Sequence, residues 1–349
     1  MKILISGGAG FIGSNLVRYA INQGYTVINV DVLTYSGCIK NLNEIDQSPN
    51  YFFEKSNICD ISEMRRIVRK FEPDAIMHLA AESHVDRSID GPETFINTNV
   101  NGTFNLLQVA KEYWFSKGRP KGFRFHHIST DEVYGSLDML GKFTEETPYN
   151  PRSPYSASKA SSDHLVRAWG ETYQLPILVT NCSNNYGEYQ FPEKLIPTII
   201  INALSGHKLP IYGNGKNVRD WLYVKDHVQA LLLVLEKGEP GRTYNIGGGS
   251  EYTNLQVVNE ICSILDEILP VEHSYSKLIT FVEDRPGHDL RYAVDTTRIE
   301  SELGWSSQTP FLKGLKNTVN WYIDNENWWK PLQKIHSVEK RLGKKIEKS

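Results

Sequence analysis

Short apolar runs alternate with longer amphipathic stretches through the first half of this chain. Ile3–Ile5, Thr26–Val30, Ala75–Leu79, Phe123–Ile128 and Ile177–Val179 have the length and composition of strands buried on both faces. Between them, Phe11–Gln23, Ile61–Phe71, Thr98–Trp114 and Ser158–Tyr173 have helical length and spacing, and Gly24 follows the first where a C-terminal cap belongs. Strand–helix alternation with short connections predicts an α/β fold built on a doubly wound parallel sheet. Beyond Asn181 the pattern loosens. Tyr186–Pro197 and Pro210–Tyr223 mix aromatic, proline and polar residues, and Thr243–Ile246 reads as one more strand before Gly247-Gly248-Gly249. Helices are expected over Asn254–Leu269 and Phe311–Asp324. This half predicts a smaller C-terminal α/β unit, interleaved with the first rather than cleanly severed from it.

A length of 349 residues accommodates two domains or one large α/β unit. The net charge is −3, with basic residues scattered until the last dozen positions, which argues against a nucleic-acid partner. Lys344, Lys345 and Lys348 read as a solvated tail. Cys38, Cys59, Cys182 and Cys262 have no paired spacing, so reduced thiols and no metal site are expected. No apolar run reaches the roughly 18 residues that span a bilayer. The first residues lack the basic start and cleavage site of a signal peptide. A cytoplasmic protein with no membrane partner is the expectation.

Gly7, Gly10 and Gly13 fall between the first strand and first helix. In a Rossmann-type βαβ unit the first glycine makes the tight turn. The second admits the pyrophosphate, and the third lets helix and strand pack closely. The uncapped helix N-terminus then offers N–H groups to phosphates. Asp31 ends the second strand, where a carboxylate accepts from the adenosine ribose hydroxyls and repels a 2′-phosphate, favouring NAD over NADP. Asp60 suits either an adenine contact or an N-cap of the next helix.

The glycine spacing followed by Tyr155-x-x-x-Lys159 resembles the extended short-chain dehydrogenase/reductase superfamily. The resemblance narrows to the dTDP-glucose 4,6-dehydratase family on further words. These are Asp31-Val-Leu-Thr-Tyr, Leu79-Ala-Ala-Glu-Ser-His-Val-Asp-Arg-Ser, Thr130-Asp-Glu-Val-Tyr-Gly and Asn181-Cys-Ser-Asn-Asn-Tyr-Gly. Phe191-Pro-Glu-Lys-Leu-Ile-Pro, Asn217-Val-Arg-Asp-Trp-Leu-Tyr-Val and Asp284-Arg-Pro-Gly-His-Asp complete the set, which runs to about Asp295. Ser6, Glu188, Tyr189, Cys38 and Ile39 depart from the usual pattern without touching the chemistry.

The resemblance implies NAD as cofactor, dTDP-glucose as substrate and a homodimer built on the helices at Thr98–Trp114 and Ser158–Tyr173. It assigns 1–181 to the NAD-binding unit, with 224–248 returning to it. Residues 182–335 are mainly nucleotide-sugar-binding and 336–349 are a tail. Phe11, Ile12, Leu33, Thr34, Ile61, Ala80, Ala81, Thr98 and Asn185 match positions beside the cofactor. Ser83, Asn184, Glu193, Lys194, Leu195, Pro210, Tyr212, Asn254 and His288 match positions around the sugar and base. Arg219 and Arg285 suit the diphosphate, because guanidinium binds phosphate in a bidentate fork. His78, His126 and His127 read as structural, and Trp321, Trp328 and Trp329 as packing.

Tyr155 and Lys159 are one helical turn apart, so the cation is expected to hold the nicotinamide ribose and lower the tyrosine pKa. Thr130 would bond the sugar's 4-oxygen. Oxidising C4 of a hexose acidifies C5–H, after which a base removes that proton and an acid protonates the leaving 6-hydroxyl. Two carboxylates in different environments can divide these jobs. By resemblance Glu132 is the base and Asp131 the acid. A 4-epimerase or decarboxylase would use Tyr155 and Lys159 without needing that pair, and a non-catalytic NAD-binding protein would need neither. Thymidine and uridine nucleotides are not separated at this level.

Overall fold

The structure, a computed structural model, describes residues 1–336, so Lys344, Lys345 and Lys348 lie outside the described residues. The chain opens with β1 (Lys2–Ser6), α1 (Phe11–Asn22), β2 (Thr26–Asp31), β3 (Tyr51–Lys55), α2 (Ile61–Phe71) and β4 (Ala75–His78). Two short helices, α3 (Val85–Asp90) and α4 (Pro92–Phe95), precede α5 (Thr103–Ser116), β5 (Arg124–Thr130), α6 (Pro154–Tyr173) and β6 (Ile177–Cys182). The second half runs β7 (Asn184–Tyr186), α7 (Leu195–Leu204), β8 (Leu209–Tyr212), β9 (Val218–Tyr223), α8 (Val224–Lys237) and β10 (Thr243–Ile246). It ends with β11 (Glu251–Thr253), α9 (Asn254–Ile268), β12 (Ile279–Val282), α10 (Thr297–Leu303), α11 (Phe311–Asp324) and α12 (Glu326–His336).

Seven strands form one sheet in the order β10-β6-β5-β4-β1-β2-β3, and every pairing is parallel. Successive side chains of a strand face opposite sides, and both sides are apolar here. Ile3, Ile5, Val27 and Met77 join one core with α1 and α8 through Leu16, Val17, Val228 and Leu231. Leu4, Ile28 and Ile76 join the other with α2, α5 and α6 through Met64, Leu107 and Val166. Helices on both faces of a parallel sheet make a Rossmann-type doubly wound fold. The strand order reverses at β1, whose neighbours are β2 and β4, and ligands of such sheets bind at the strand ends beside that switch. Ser6 is level with Val30 and His78, so the ends of β1, β2 and β4 share one rim.

A second core lies above that rim. Tyr186, Ile199, Val257, Leu315 and Trp329 are buried in it. They belong to α7, α9, α11, α12 and the small sheet β11-β9-β7. The tryptophans pack here as expected: Trp321 meets the Tyr189 ring at 4.6 Å and Trp328 at 5.0 Å.

Three differences from the sequence reading bear on the site. The helix expected over Thr98–Trp114 is instead a wide π-type segment, Ile96–Gly102, that continues into α5. Asn99 in that segment donates to Glu82 O and to Ser158 Oγ, so the irregular turn fixes the loop after β4 against α6. Helix α6 starts at Pro154, not Ser158. Ser153 caps it in a reciprocal box with Ser156, and Pro154 sits at its first position. Strand β3 was not foreseen. It is a partly exposed edge strand without the apolar run of the central strands. Among the described residues no helix is long and apolar enough to cross a membrane.

Candidate active site

The glycine loop fits a dinucleotide phosphate on steric grounds. Gly7 has φ +77°, and a Cβ there would sit 2.6 Å from Ala80 N. A Cβ on Gly13 would sit 2.1 Å from Gly7 O. Both glycines are required by backbone contact alone. Gly10 differs: its Cβ position meets nothing closer than Gly7 O at 3.4 Å, and no side chain caps α1. The first-turn N–H groups, including those of Phe11 and Ile12, therefore form an open cradle for an anion.

Asp31 is buried and accepts from Ala9 N through Oδ2 at 2.9 Å and from Leu33 N through Oδ1 at 2.8 Å. Burial raises its pKa, and the two amide bonds oppose that. Thr34 follows in the same loop. Ala80 and Ala81 continue from β4 opposite Gly7, and Thr98 lies in the π-type segment. Asp60 caps α2, accepting from Ser62 N and Glu63 N, and Ile61 begins that helix. Asn185 on β7 is held by His227 Nδ1 at 2.8 Å.

Strand β5 delivers Thr130, and a single 3₁₀ turn delivers Asp131 and Glu132. Helix α6 brings Tyr155 and Lys159 to the same place. The nearby Thr130 hydroxyl offsets part of the burial effect on Tyr155. Lys159 Nζ donates to Ile128 O at 2.8 Å. Burial, and then the charge of Glu132, push Tyr155 well above its ordinary value. Lys159 itself is lowered by burial.

The two carboxylates stand in different surroundings. Asp131 is 1 % exposed, its Oδ1 accepts from Thr130 Oγ1 at 3.3 Å, and its Oδ2 has no partner. Burial and the neighbouring Glu132 charge push it well above its ordinary value. Glu132 lines the cleft. Burial raises it, but Arg285, Lys194 and Arg219 pull it back toward the ionised form. Both carboxyls are thus raised by burial, and cations offset the rise more strongly at Glu132, which suits an acid and base pair.

A cleft of about 1470 Å³ opens at Glu132, while Thr130, Asp131, Tyr155 and Lys159 are not among its lining residues. Asn184, Asn185, Glu193, Lys194 and Leu195 line one wall. Pro210, Tyr212, Arg219 and Asn254 line another, and Arg285 and His288 cover it from a loop. Arg219 is buried and donates to the carbonyls of Val218 and Asp289. Arg285 lies 3.7 Å from Asp86. His288 is lowered to about 4 by burial and the Arg285 charge, so it is neutral. Ser83 does not line the cleft: it is exposed, and its carbonyl accepts from Lys194 Nζ at 2.9 Å. Asn184 Oδ1 is buried without a partner, a second orphan beside Asp131 Oδ2. Such atoms require an explanation, and a polar ligand supplies it.

Several lining residues escaped the sequence reading. Glu82, His84, Asp86 and Arg87 lie in the charged run after β4, and Tyr35 reaches the cleft from the loop after β2. A run of charge at a parallel strand's carboxyl end was the available signal. The buried histidines are structural in position. His78 bridges Ser6 Oγ and Thr103 Oγ1, His126 meets Thr180 Oγ1, and His127 lies 3.1 Å from Asp163.

Residues 4–318 match the family model described as GDP-mannose 4,6 dehydratase. The chain is 58 % identical over 340 residues to dTDP-glucose 4,6-dehydratase of Salmonella typhimurium, covering 94 % of each. It is similar to the crystal structure of dTDP-glucose 4,6-dehydratase from Bacillus anthracis in complex with NAD, at 47 % identity and TM-score 0.85, covering 95 % of this chain and 99 % of that one. A UDP-glucose 4-epimerase from Thermotoga maritima with UDP-glucose shares the scaffold at 32 % identity and TM-score 0.83, covering 93 % of this chain and all of that one.

Proposed function

The chain belongs to the GDP-mannose 4,6 dehydratase family and, within it, to the dTDP-glucose 4,6-dehydratases, and from that premise we propose that it converts dTDP-glucose to dTDP-4-keto-6-deoxy-glucose with NAD. The observation that carries this reading is the Asp131–Glu132 pair, adjacent in sequence and both raised by burial, with Arg285 and Lys194 offsetting that rise at Glu132 while the Glu132 charge adds to it at Asp131. An epimerase has no use for two such groups.

Gly7, Gly10, Phe11, Ile12, Gly13, Asp31, Leu33 and Thr34 would hold the NAD adenosine and pyrophosphate. Ala80, Ala81, Thr98, Asn185 and Lys159 would hold the remainder, with Asp60 and Ile61 at the adenine. When bound, NAD supplies the hydride acceptor for C4 and the donor that returns to C6. Tyr155 takes the 4-hydroxyl proton, with Thr130 bonded to the sugar. Glu132 then removes the C5 proton, Asp131 gives a proton to the leaving 6-hydroxyl so that it departs as water, and Glu132 returns its proton to C5 as C6 is reduced. Arg219 and Arg285 would clamp the diphosphate, and Asn184, Glu193, Lys194, Leu195, Pro210, Tyr212, Asn254 and His288 would surround sugar and base, with Ser83 acting through its carbonyl on Lys194. Residues 1–181 with 224–248 carry the cofactor in this reading, and 182–335 mainly the nucleotide sugar.

The same reading makes the protein a cytoplasmic homodimer. Ile96 and Phe104 are exposed beside α6, with Phe104 edge-on to Trp169, and an apolar face of this kind suits a second copy. The functional test is incubation with dTDP-glucose and, separately, UDP-glucose, followed by mass spectrometry. Loss of one water from dTDP-glucose without stoichiometric build-up of reduced cofactor is expected. Loss of water only from UDP-glucose changes the nucleotide, and an unchanged mass from both overturns the dehydratase.

A further inference from the structure

Glu193 lines the substrate side of the cleft, yet its side chain is only 3 % exposed. Both of its oxygens are engaged by groups from the cofactor half of the molecule. Oε1 accepts from the Tyr35 hydroxyl at 3.1 Å, and Oε2 accepts from Arg87 Nε at 3.1 Å. The Arg87 guanidinium lies over the Tyr35 ring, 3.7 Å from its centre. Tyr35 also packs edge-on against Phe191, two residues before Glu193, at 5.5 Å and 82°. The three side chains thus form a closed triangle, each touching the other two.

The triangle joins segments far apart in sequence. Tyr35 sits mid-way along the loop that leaves Asp31, and Phe191 and Glu193 lead into α7. The ends of the loop are fastened separately. Leu33 N and Asp31 Oδ1 bond at one end. At the other, Cys38 N and Asn41 Nδ2 both donate to Ala9 O, and Trp328 Nε1 donates to Asn41 Oδ1. The path between these anchors sets the Asp31 carboxylate, because a Cβ on Gly37 would lie 2.9 Å from Asp31 Oδ1. Burial and the Glu193 charge keep Tyr35 protonated, so its hydroxyl is a permanent donor. A hydrogen bond to a buried carboxylate is stronger than a neutral one.

We propose that Glu193, through Tyr35 and Arg87, is a tie from the substrate-side segment that holds the Asp31–Gly37 loop closed and so retains the bound dinucleotide. These are positioning residues, and the inference rests on the reading of that loop as the NAD ribose site. A reaction whose net redox change is zero gains from a cofactor that stays in place through the whole cycle, and the tie supplies that from the wall of the substrate cleft.

The test is the dissociation rate of NAD from the full-length protein, followed by displacement with excess labelled NAD in the absence of sugar nucleotide. Tyr35→Phe keeps the ring under Arg87 and against Phe191 and removes only the hydroxyl, so the fold is preserved. It should release NAD faster by about tenfold or more, the range for losing a hydrogen bond to a charged partner. Glu193→Leu, which removes both acceptor oxygens, should release NAD at least as fast. Because it already abolishes the bond that Tyr35→Phe loses, the double variant should release NAD no faster than the faster single variant. Unchanged release from Tyr35→Phe, or single effects that multiply in the double variant, overturns the tie. Wild-type protein that fails to bind NAD in a direct titration overturns the underlying reading instead, so the two failures are distinct.

Discussion

Replacing Asp163 with asparagine should cost this fold about 1–3 kcal/mol, because it disrupts a buried acceptor and removes the carboxylate charge that favours the buried Lys159 ammonium. Asp163 is 0 % exposed on α6, one helical turn beyond Lys159. Its carboxylate accepts from Ser129 Oγ and Tyr149 OH, both at 2.9 Å, and from Asn181 Nδ2 at 3.4 Å, and His127 Nε2 lies 3.1 Å away. Burial alone would raise Asp163, but the His127 hydrogen bond and the Lys159 charge outweigh it and hold the group below the ordinary carboxylate range. His127 is lowered to about 4 by burial and by Lys159, so it is neutral at pH 7. Asparagine keeps the volume, loses the charge and turns an amide nitrogen toward donors that then go unpaired. The assay is urea unfolding followed by tryptophan fluorescence, where the midpoint should fall with the slope unchanged. Lys159→Met in the Asp163→Asn background should recover part of the loss, with a coupling of about 0.5–3 kcal/mol. An Asp163→Asn variant within about 1 kcal/mol of wild type, and additive with Lys159→Met, would refute the ion-pair argument.

Asp31→Ala should erase the preference for NAD over NADP in calorimetric titrations, and equal affinities in the wild type would remove Asp31 from that role. The rate should be bell-shaped in pH. Activity falls on the acid side as Glu132 protonates, above the ordinary glutamate range, and on the basic side as the raised Asp131 loses its proton; the limbs belong to the pair rather than to either residue. A profile that is flat on the basic side, or unaltered there by Asp131→Asn, counts against Asp131 as the acid. His126 is buried and lowered from 6.5 to about 3 by burial and the neighbouring His127, so the folded state binds its proton less well than the unfolded chain. Its contribution to stability is full above about pH 6.5 and is lost as pH falls toward 3. His126→Asn should flatten that dependence by about 1.4 kcal/mol per pH unit in urea titrations, and an identical slope would contradict it.

The sheet was legible because its central strands are continuous apolar runs, as strands buried on both faces must be. Strand β3 was not, since Tyr51–Lys55 is an edge strand with a mixed, partly exposed face. Helix α7 was missed for the opposite reason. Leu195–Leu204 is apolar nearly all round, so no helical period marks it, and its proline sits in the first turn, where a helix tolerates it. The start of α6 was carried by Ser153-Pro154, a cap and first-turn signal that was passed over in favour of the Tyr-x-x-x-Lys spacing. Most proposed sugar-nucleotide positions do meet in one cleft, although Ser83 contributes a carbonyl to Lys194 rather than a side chain to the wall. The partners that set the site's electrostatics were not visible in sequence. Asp163 and His127 are 36 positions apart, and Tyr35 and Glu193 are 158 apart. Such pairs are products of the sheet order, not of local pattern.

The central claim is that Asp131 and Glu132 perform an elimination after Tyr155 has enabled oxidation. It is tested most directly by one single-turnover absorbance experiment on three proteins with dTDP-glucose. Wild type should show reduced nicotinamide only transiently. Tyr155→Phe should show little, because its base for C4 oxidation is gone. Glu132→Gln keeps the shape but cannot accept the C5 proton, so it should accumulate reduced nicotinamide that persists while product formation falls by about 10²–10⁴-fold. Glu132→Gln protein that dehydrates the sugar at near the wild-type rate, with no persistent reduced cofactor, would contradict the account.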